Sequence, residues 1–281
     1  MSRRMLPLRC TVRRCHLPLA LAGRTLRCGA GHSFDRAREG YWNLLQPQDR
    51  RSPRPGDRDA ALEARSRWLA RGLADGLIAT VGTLLDRIDL PQGAAVADLG
   101  SGEGTFTGRL LDGRSVRACG VDLSVRAARR AARAFPDIGW VVANADRELP
   151  FPDGSLDLVL SVFGRRPGAE IHRALRDPGR LVVVLPAEDD LIELREAVQG
   201  RGDLRTRAAA AVEELGAWFE PAERATWREH VRLDRDGLED ALALSYRGAR
   251  RAERERLAGI DELVVTLAAD LLSFDRRAAS R

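Results

Sequence analysis

Three glycines at alternate positions, Gly100, Gly102 and Gly104, follow an apolar run that carries Asp98 near its end. Such a turn lets the backbone take positive φ and lets a ligand approach peptide N–H groups that a Cβ would shield, and the residues from Thr105 onward can open a helix. Asp122, in Gly120-Val121-Asp122-Leu123, stands about twenty residues on, where a carboxylate at a strand end accepts hydrogen bonds from both hydroxyls of a ribose. Asn144-Ala145-Asp146 offers short polar side chains that can reach an adenine amino group. Glu103 could touch a ligand ammonium or simply solvate the turn. A second cluster lies upstream, Cys10-x4-Cys15 followed by Cys28-x3-His32. Three thiolates and an imidazole suit zinc at tetrahedral geometry, and four protein ligands leave no open position, so the expected role is structural. His16 could substitute for a neighbouring ligand.

Spacing narrows the ligand of the glycine turn. A dinucleotide fingerprint needs G-x-G-x-x-G, and here the third glycine falls one residue early, at Gly104. The pattern is closer to the G-x-G-x-G of S-adenosylmethionine enzymes. The amino-acid part of that cofactor would lie against Gly100, Gly102 and Gly104.

Positioning these groups takes a parallel sheet with helices on both faces. Candidate strands at 95–99, 116–121, 140–143, 156–162 and 180–185 alternate with mostly helical patterns, which predicts a doubly wound α/β fold with its ligand at the carboxyl ends of the strands. Further on, helices are expected at 191–198, 206–218 and 237–244, and strands at 225–231 and 262–274 that pair as a late hairpin. Upstream, Leu62, Trp68, Leu69, Leu73, Leu77, Val81 and Leu84 recur at three- or four-residue steps, predicting helices that lie on the sheet. Residues 46–58 carry three prolines and alternating charges and read as an exposed linker. The expected organisation is a zinc-binding module over 1–45 built on a small β-hairpin, linker and helices over 46–90, and the ligand-binding domain over 91–281.

At 281 residues and 44% hydrophobic, the chain can bury one α/β domain with a smaller appendage. Its formal net charge of +5 is compatible with an acidic partner such as RNA, yet modest for this length. Every basic residue is arginine, and the abundance of Ala, Gly and Arg suggests a GC-rich genome, so arginine counts are discounted as a phosphate-binding signal. No run reaches the roughly 18 apolar residues of a membrane span. The first residues lack a signal-peptide core, and three of four cysteines crowd into positions 10–28, so a cytoplasmic protein with a metal site in a reducing compartment is expected.

The cysteine and histidine positions, the run Gly31-His32-Ser33-Phe34-Asp35-Arg36-Ala37-Arg38-Glu39-Gly40-Tyr41-Trp42-Asn43-Leu44-Leu45, the motif Arg51-Ser52-Pro53-Arg54-Pro55-Gly56-Asp57 and the turn Val96-Ala97-Asp98-Leu99-Gly100-Ser101-Gly102-Glu103-Gly104 together resemble one family. Leu149-Pro150-Phe151 and residues 191–194 align as well. The family is the bacterial 23S rRNA guanine-N1 methyltransferases, which include enzymes conferring resistance to tylosin-type macrolides. The resemblance implies a zinc-binding N-terminal module plus a class I S-adenosylmethionine methyltransferase domain with a Rossmann-like sheet. Implied with it are S-adenosylmethionine and Zn2+ as cofactors, N1 of a guanine in a 23S rRNA hairpin as acceptor, and a homodimer. The cofactor set is then Asp98, Gly100, Gly102, Glu103, Gly104, Asp122 and Asp146, and the metal set Cys10, Cys15, Cys28 and His32. This chain departs from the family at four places. It has C-x4-C for C-x2-C, Gly72-Leu73-Ala74 where relatives place Gly-His-Tyr with the tyrosine at the cofactor, Asp190 for a histidine near the cofactor, and Gly164-Arg165-Arg166-Pro167 for an Ala-Pro-Cys type loop.

Guanine N1 carries a proton at neutral pH, so some group or water must remove it. Asp157, Glu170 and His172 lie near the acceptor edge in the sequence, and each is as readily a structural or surface group. Trp42, Tyr41 or Phe163 could stack on an unstacked base, and Arg165-Arg166 could hold phosphate or form a solvated loop. Two other readings stand beside the first: a small-molecule methyltransferase whose zinc module serves dimerisation or stability, and a non-catalytic RNA-binding descendant.

Overall fold

The computed structural model describes residues 5–51, 59–200, 202, 204, 206–245 and 251–278. The second half of the expected linker, and all of the 51–57 motif except Arg51, lie outside the described residues.

The chain opens with four short strands, β1 (Leu8–Arg9), β2 (Pro18–Ala22), β3 (Thr25–Arg27) and β4 (Ser33–Asp35), paired antiparallel in sequence order. The expected hairpin is thus a small four-stranded sheet. The next strand, β5 (Trp42–Asn43), leaves it and pairs parallel with the edge of the large sheet, Trp42 opposite Val141. Leu8, Leu26 and Phe34 of the small sheet share one core with Val141, Ala143, Leu149 and Phe151 of the large domain. The module is therefore packed on the domain rather than tethered to it.

Two helices, α1 (Asp59–Ala70) and α2 (Asp75–Asp86), precede the alternating region. That region runs β6 (Ala94–Leu99), α3 (Thr105–Leu111), β7 (Val116–Asp122), α4 (Val125–Ala134), β8 (Gly139–Val142), β9 (Leu156–Val162), α5 (Gly168–Ala174) and β10 (Leu175–Pro186). Then come α6 (Ile192–Gln199), α7 (Arg207–Leu215), β11 (Phe219–Asp234), α8 (Arg235–Ser245), α9 (Arg251–Leu257) and β12 (Glu262–Arg276). The large sheet has the order β11-β12-β10-β9-β6-β7-β8-β5, with β5 through β10 parallel and β11 and β12 antiparallel. The late hairpin completes the sheet as expected, though each of its strands is longer than its pattern suggested.

The central strands are apolar runs because both faces are covered. Every residue of β6 and β9 is buried. On one face Leu77, Val81 and Leu84 of α2 meet Val96, Leu158 and Val182. In α4 the alanines 127, 128, 131 and 132 face inward, and Ser124 caps the helix by accepting the Ala127 N–H at 3.2 Å. Helix α1 departs from the expectation of helices on the sheet. It lies against α8, fixed by a bidentate Arg67 to Asp240 pair, and its Trp68 joins a separate core built from α6, α8, α9 and the far half of the β11–β12 hairpin. No single helix among the described residues is long and apolar enough to cross a membrane.

Candidate active site and metal centre

The turns of the small sheet bring Cys10, Cys15, Cys28 and His32 together, with all four ligand atoms within 4.8 Å of one another. His32 Nδ1 lies 3.4 Å from both Cys10 Sγ and Cys28 Sγ, and Cys15 Sγ lies 3.7 Å from Cys28 Sγ. Zinc bond lengths imply tetrahedral edges of about 3.8 Å between sulfurs and about 3.5 Å between sulfur and nitrogen, so these three distances match edges of a zinc tetrahedron. Burial pushes the Cys10 thiol up to about 12. Cys28 is pushed up by burial but drawn down further by the N–H groups of Ala30 and His32, to about 7. His16 is not part of the cluster; its Nδ1 lies 2.8 Å from Glu148 Oε1.

At the carboxyl ends of β6, β7, β8 and β9 a cavity of about 170 Å³ is lined by Gly100, Gly102, Asp122, Asn144 and Asp146, among others. The strand order reverses between β6 and β9, the switch point at which such sheets bind ligands. Gly100 and Gly102 hold φ of +77° and +56°. Asp122 ends β7 with each oxygen accepting one backbone N–H: Oδ2 accepts the Gly102 N–H at 2.8 Å and Oδ1 the Ser124 N–H at 2.7 Å. A carboxylate oxygen can accept two such bonds. Across the cavity Arg165 Nε donates to Asp146 Oδ1 at 2.6 Å, tying the loop after β9 to the loop after β8.

Three of the expected cofactor residues stand behind this wall rather than on it. Asp98 is buried, accepts the Thr107 hydroxyl at 2.5 Å, and is pushed by burial up to about 7. Glu103 is buried and accepts the Ser66 hydroxyl at 3.2 Å. Gly104, at φ +84°, begins α3 where a Cβ would sit 2.5 Å from the Trp140 ring.

Sequence patterns did not point to Arg65 or Phe106 as lining residues, yet both line the cavity, together with Gly164 of the loop after β9. A Cβ on Gly102 would fall 2.9 Å from Arg65 Nη1, so the missing side chain leaves room where a guanidinium and a turn converge. Arg65 sits on the same helical stripe as Leu62 and Leu69; a charge interrupting an apolar stripe was the available signal. Gly164 packs on the turn itself, where a Cβ would lie 2.0 Å from the Leu99 carbonyl oxygen. Gly164→Ala is therefore expected to push the β9 loop off the turn. By calorimetry it should lose about 1–3 kcal/mol, lowering the thermal midpoint by roughly 2–10 °C, and ligand affinity at the turn should fall at least tenfold.

A second cavity, of about 350 Å³, adjoins the first across Arg65, Phe106, Phe163 and Gly164. Its walls include Trp68 and Trp227, and both Ala74 and Asp190 line it. The two departures noted at those positions thus fall in this second cavity and not among the residues lining the glycine-turn cavity. Phe163, half exposed at φ +53°, meets Phe106 edge to face at 6.2 Å on the shared wall.

The three sequence candidates for proton acceptor lie elsewhere. Asp157 is at the amino end of β9, accepts the Ala95 N–H at 2.7 Å and pairs with Arg176. Glu170 accepts the Leu149 N–H and pairs with Arg173 and Arg9, anchoring the small sheet. His172 Nε2 lies 2.9 Å from the Arg277 carbonyl oxygen. Tyr41 and Trp42 are buried, with the Arg36 guanidinium 4.8 Å over the Trp42 ring. Arg166 pairs with Glu214 at 2.8 Å.

Comparison with known proteins finds a family match at each of the two centres. Residues 8–53 match a zinc-ribbon family described as RlmA, N-terminal, and residues 96–182 match a family described as methyltransferase domain. A 23S rRNA (guanine(748)-N(1))-methyltransferase of Streptomyces fradiae is 36% identical over 235 residues, covering 82% of each chain. A protein of Micromonospora griseorubida assigned by name to the 23S rRNA (guanine-N1)-methyltransferases is 37% identical over 250 residues, 81% of this chain and 82% of its own. Among solved structures, the YcgJ protein of Bacillus subtilis superposes with a TM-score of 0.53 at 13% identity, over 72% of this chain and 99% of its own, a likeness of fold alone. With its zinc ribbon, its class I S-adenosylmethionine methyltransferase fold and these relatives, the chain belongs to the 23S rRNA (guanine-N1)-methyltransferase family.

Proposed function

We propose that this protein methylates N1 of a guanine in a hairpin of 23S rRNA. The reading rests on one observation: the cavity at the glycine turn adjoins, across a shared wall of Arg65, Phe106, Phe163 and Gly164, a larger aromatic-walled cavity. When bound, S-adenosylmethionine supplies an electrophilic methyl group on its sulfonium. The chain's residues do the remaining work. Gly100, Gly102 and Arg65 hold the amino-acid end, Asp122 the ribose hydroxyls, and Asn144 and Asp146 the adenine edge. Asp98 stiffens the turn through Thr107, Glu103 ties it to α1 through Ser66, and Gly104 lets α3 start beside Trp140. Holding two reactants about 3 Å apart in a site that excludes water can supply most of the rate enhancement such a displacement needs. The acceptor base must leave its stack to enter, and Phe163 offers a half-exposed ring for it.

The division into a zinc module over 1–45, linker and helices over 46–90 and a methyltransferase domain over 91–281 serves this reaction. Arg13, Arg14, Arg24 and Arg27 of the zinc module are exposed and offer cations to the RNA backbone. We also infer that the enzyme works as a homodimer in the cytoplasm, where its thiolates stay reduced, and that the modification protects ribosomes from tylosin-type macrolides. Sedimentation and the macrolide susceptibility of an expressing host test those two points.

The deciding experiment is methylation of purified 23S rRNA with labelled cofactor, mapped by primer extension. One strong stop at a hairpin guanine is expected. Cofactor binding with no label in RNA would point to a small-molecule acceptor, and no cofactor binding at all to a non-catalytic descendant.

A further inference from the structure

We propose that Asp190 is the group that takes the N1 proton from the acceptor guanine. This rests on the reaction proposed above and adds the residue that the sequence left unnamed. Asp190 is the one carboxylate among the residues lining the second cavity, and no histidine, cysteine or tyrosine lines it. The acids of the adjoining cavity are otherwise engaged, Asp122 by two backbone N–H groups and Asp146 by Arg165.

The side chain and the loop that carries it are held in place by β12. Past the end of β10, Ala187 N–H donates to the Ala268 carbonyl on β12 at 2.9 Å, and Leu191, at φ +54°, donates its N–H to the Thr266 carbonyl at 2.7 Å. Between these anchors Asp190 Oδ1 accepts the Ala268 N–H at 3.0 Å. Its other oxygen has no hydrogen-bond partner among the described residues, and the residue lines the cavity. The charged groups facing it are Arg207 of α7, Arg195 of α6 and Asp189 alongside, which is itself paired with Arg228 of β11. Arg65 and Arg166 contribute elsewhere on the wall. Burial outweighs the Ala268 N–H and the arginines and holds the carboxyl up, at about 6. A base that titrates just below the working pH is ionised and still basic enough to accept a proton in the transition state.

In the step assigned to it, the N1–H bond of guanine breaks and an O–H bond forms on Asp190 Oδ2. The electron pair left on N1 forms the bond to the methyl carbon as the carbon–sulfur pair stays on sulfur. The charge of the sulfonium is thereby replaced by the proton on Asp190, which then passes to water.

The test compares wild type, Asp190→Asn and Asp190→Glu on purified 23S rRNA, with cofactor affinity measured separately by calorimetry. Asp190→Asn keeps an oxygen for the Ala268 N–H and should bind cofactor within about threefold of wild type, while kcat falls by about 10²–10⁴-fold, the usual worth of a general base. Asp190→Glu should recover part of that loss. Wild-type kcat/KM, which reports the free enzyme, should rise tenfold per pH unit below about pH 6 and level off above it, and the limb should vanish in Asp190→Asn. Two outcomes overturn the assignment: a kcat for Asp190→Asn within about threefold of wild type with the limb retained, or, should that variant not fold, a wild-type profile that is flat through pH 6. Wild type that binds cofactor yet never labels RNA overturns the proposed reaction itself, and the assignment with it.

Discussion

Cys28→Ser is expected to leave the purified protein with essentially no zinc, where wild type carries one ion per chain, and to unfold the small sheet. The strands of that sheet are two to five residues long, and inside it only a few side chains, such as Leu8, Leu26 and Phe34, are buried. So little core cannot outweigh the entropy of ordering the turns, and structural zinc, worth about 10–16 kcal/mol in isolated zinc-finger peptides, closes the gap. The loss spreads to the large domain because Val141, Ala143, Leu149 and Phe151 are covered by the module. Uncovering large apolar side chains costs about 1.5–3 kcal/mol each when complete, so the thermal midpoint should fall by roughly 10 °C. Cofactor affinity should change less than about threefold, since no residue of 5–45 lines the glycine-turn cavity. Zinc uptake should also weaken as pH falls: the ligands bind as thiolates, and burial holds the metal-free Cys10 thiol up at about 12, so binding must displace a proton there. Metal analysis and scanning calorimetry read these effects; a zinc-free protein with an unchanged midpoint would contradict them.

What was legible in the chain was whatever strand and helix lengths encode locally. Gly100, Gly102 and Asp122 sit at the ends of consecutive parallel strands, and the interval between them is the length of one helix and one strand. Cys10, Cys15, Cys28 and His32 were readable from residue type and crowding alone. Groups brought in from a distance were not. Arg65 reaches the turn because α1 turns away from the sheet to lie on α8, an arrangement its apolar periodicity does not specify. Proximity in sequence also misled about which end of a strand a residue occupies: Asp157 and the loop at 163–167 both adjoin β9, but they stand at opposite ends of it. Strand β5 was invisible because two residues carry no period.

The two cavities follow from the same topology. The switch point between β6 and β9 opens the first, and the second is walled by α1, α2, α6, α8, β12 and the end of β10. Arg65, Phe106, Phe163 and Gly164 form the wall between them, so a change there is felt on both sides. Gly164→Ala should accordingly impair cofactor and acceptor binding together, whereas Asp190→Asn should affect only the chemistry.

Asp122→Ala is expected to weaken S-adenosylmethionine binding by about 10²–10⁴-fold. Two hydrogen bonds from ribose hydroxyls to an ionised carboxylate contribute about 1.5–3 kcal/mol each, which sets that range. The same carboxylate holds the fold: it accepts the N–H of Gly102 in the turn and of Ser124 at the start of α4. Its removal leaves two half-buried donors for water to satisfy, at a cost of about 1–2 kcal/mol in all, so some affinity would be lost through a loosened turn even if no ribose ever touched Asp122. A cofactor analogue separates the two effects. Wild type should prefer S-adenosylhomocysteine over its 2′-deoxy form by about tenfold or more, one charge-assisted hydrogen bond's worth, and Asp122→Ala should bind both alike. Calorimetric titration of the four combinations closes the cycle. A variant that keeps the wild-type preference for the hydroxyl would mean that Asp122 shapes the turn and that another group holds the ribose.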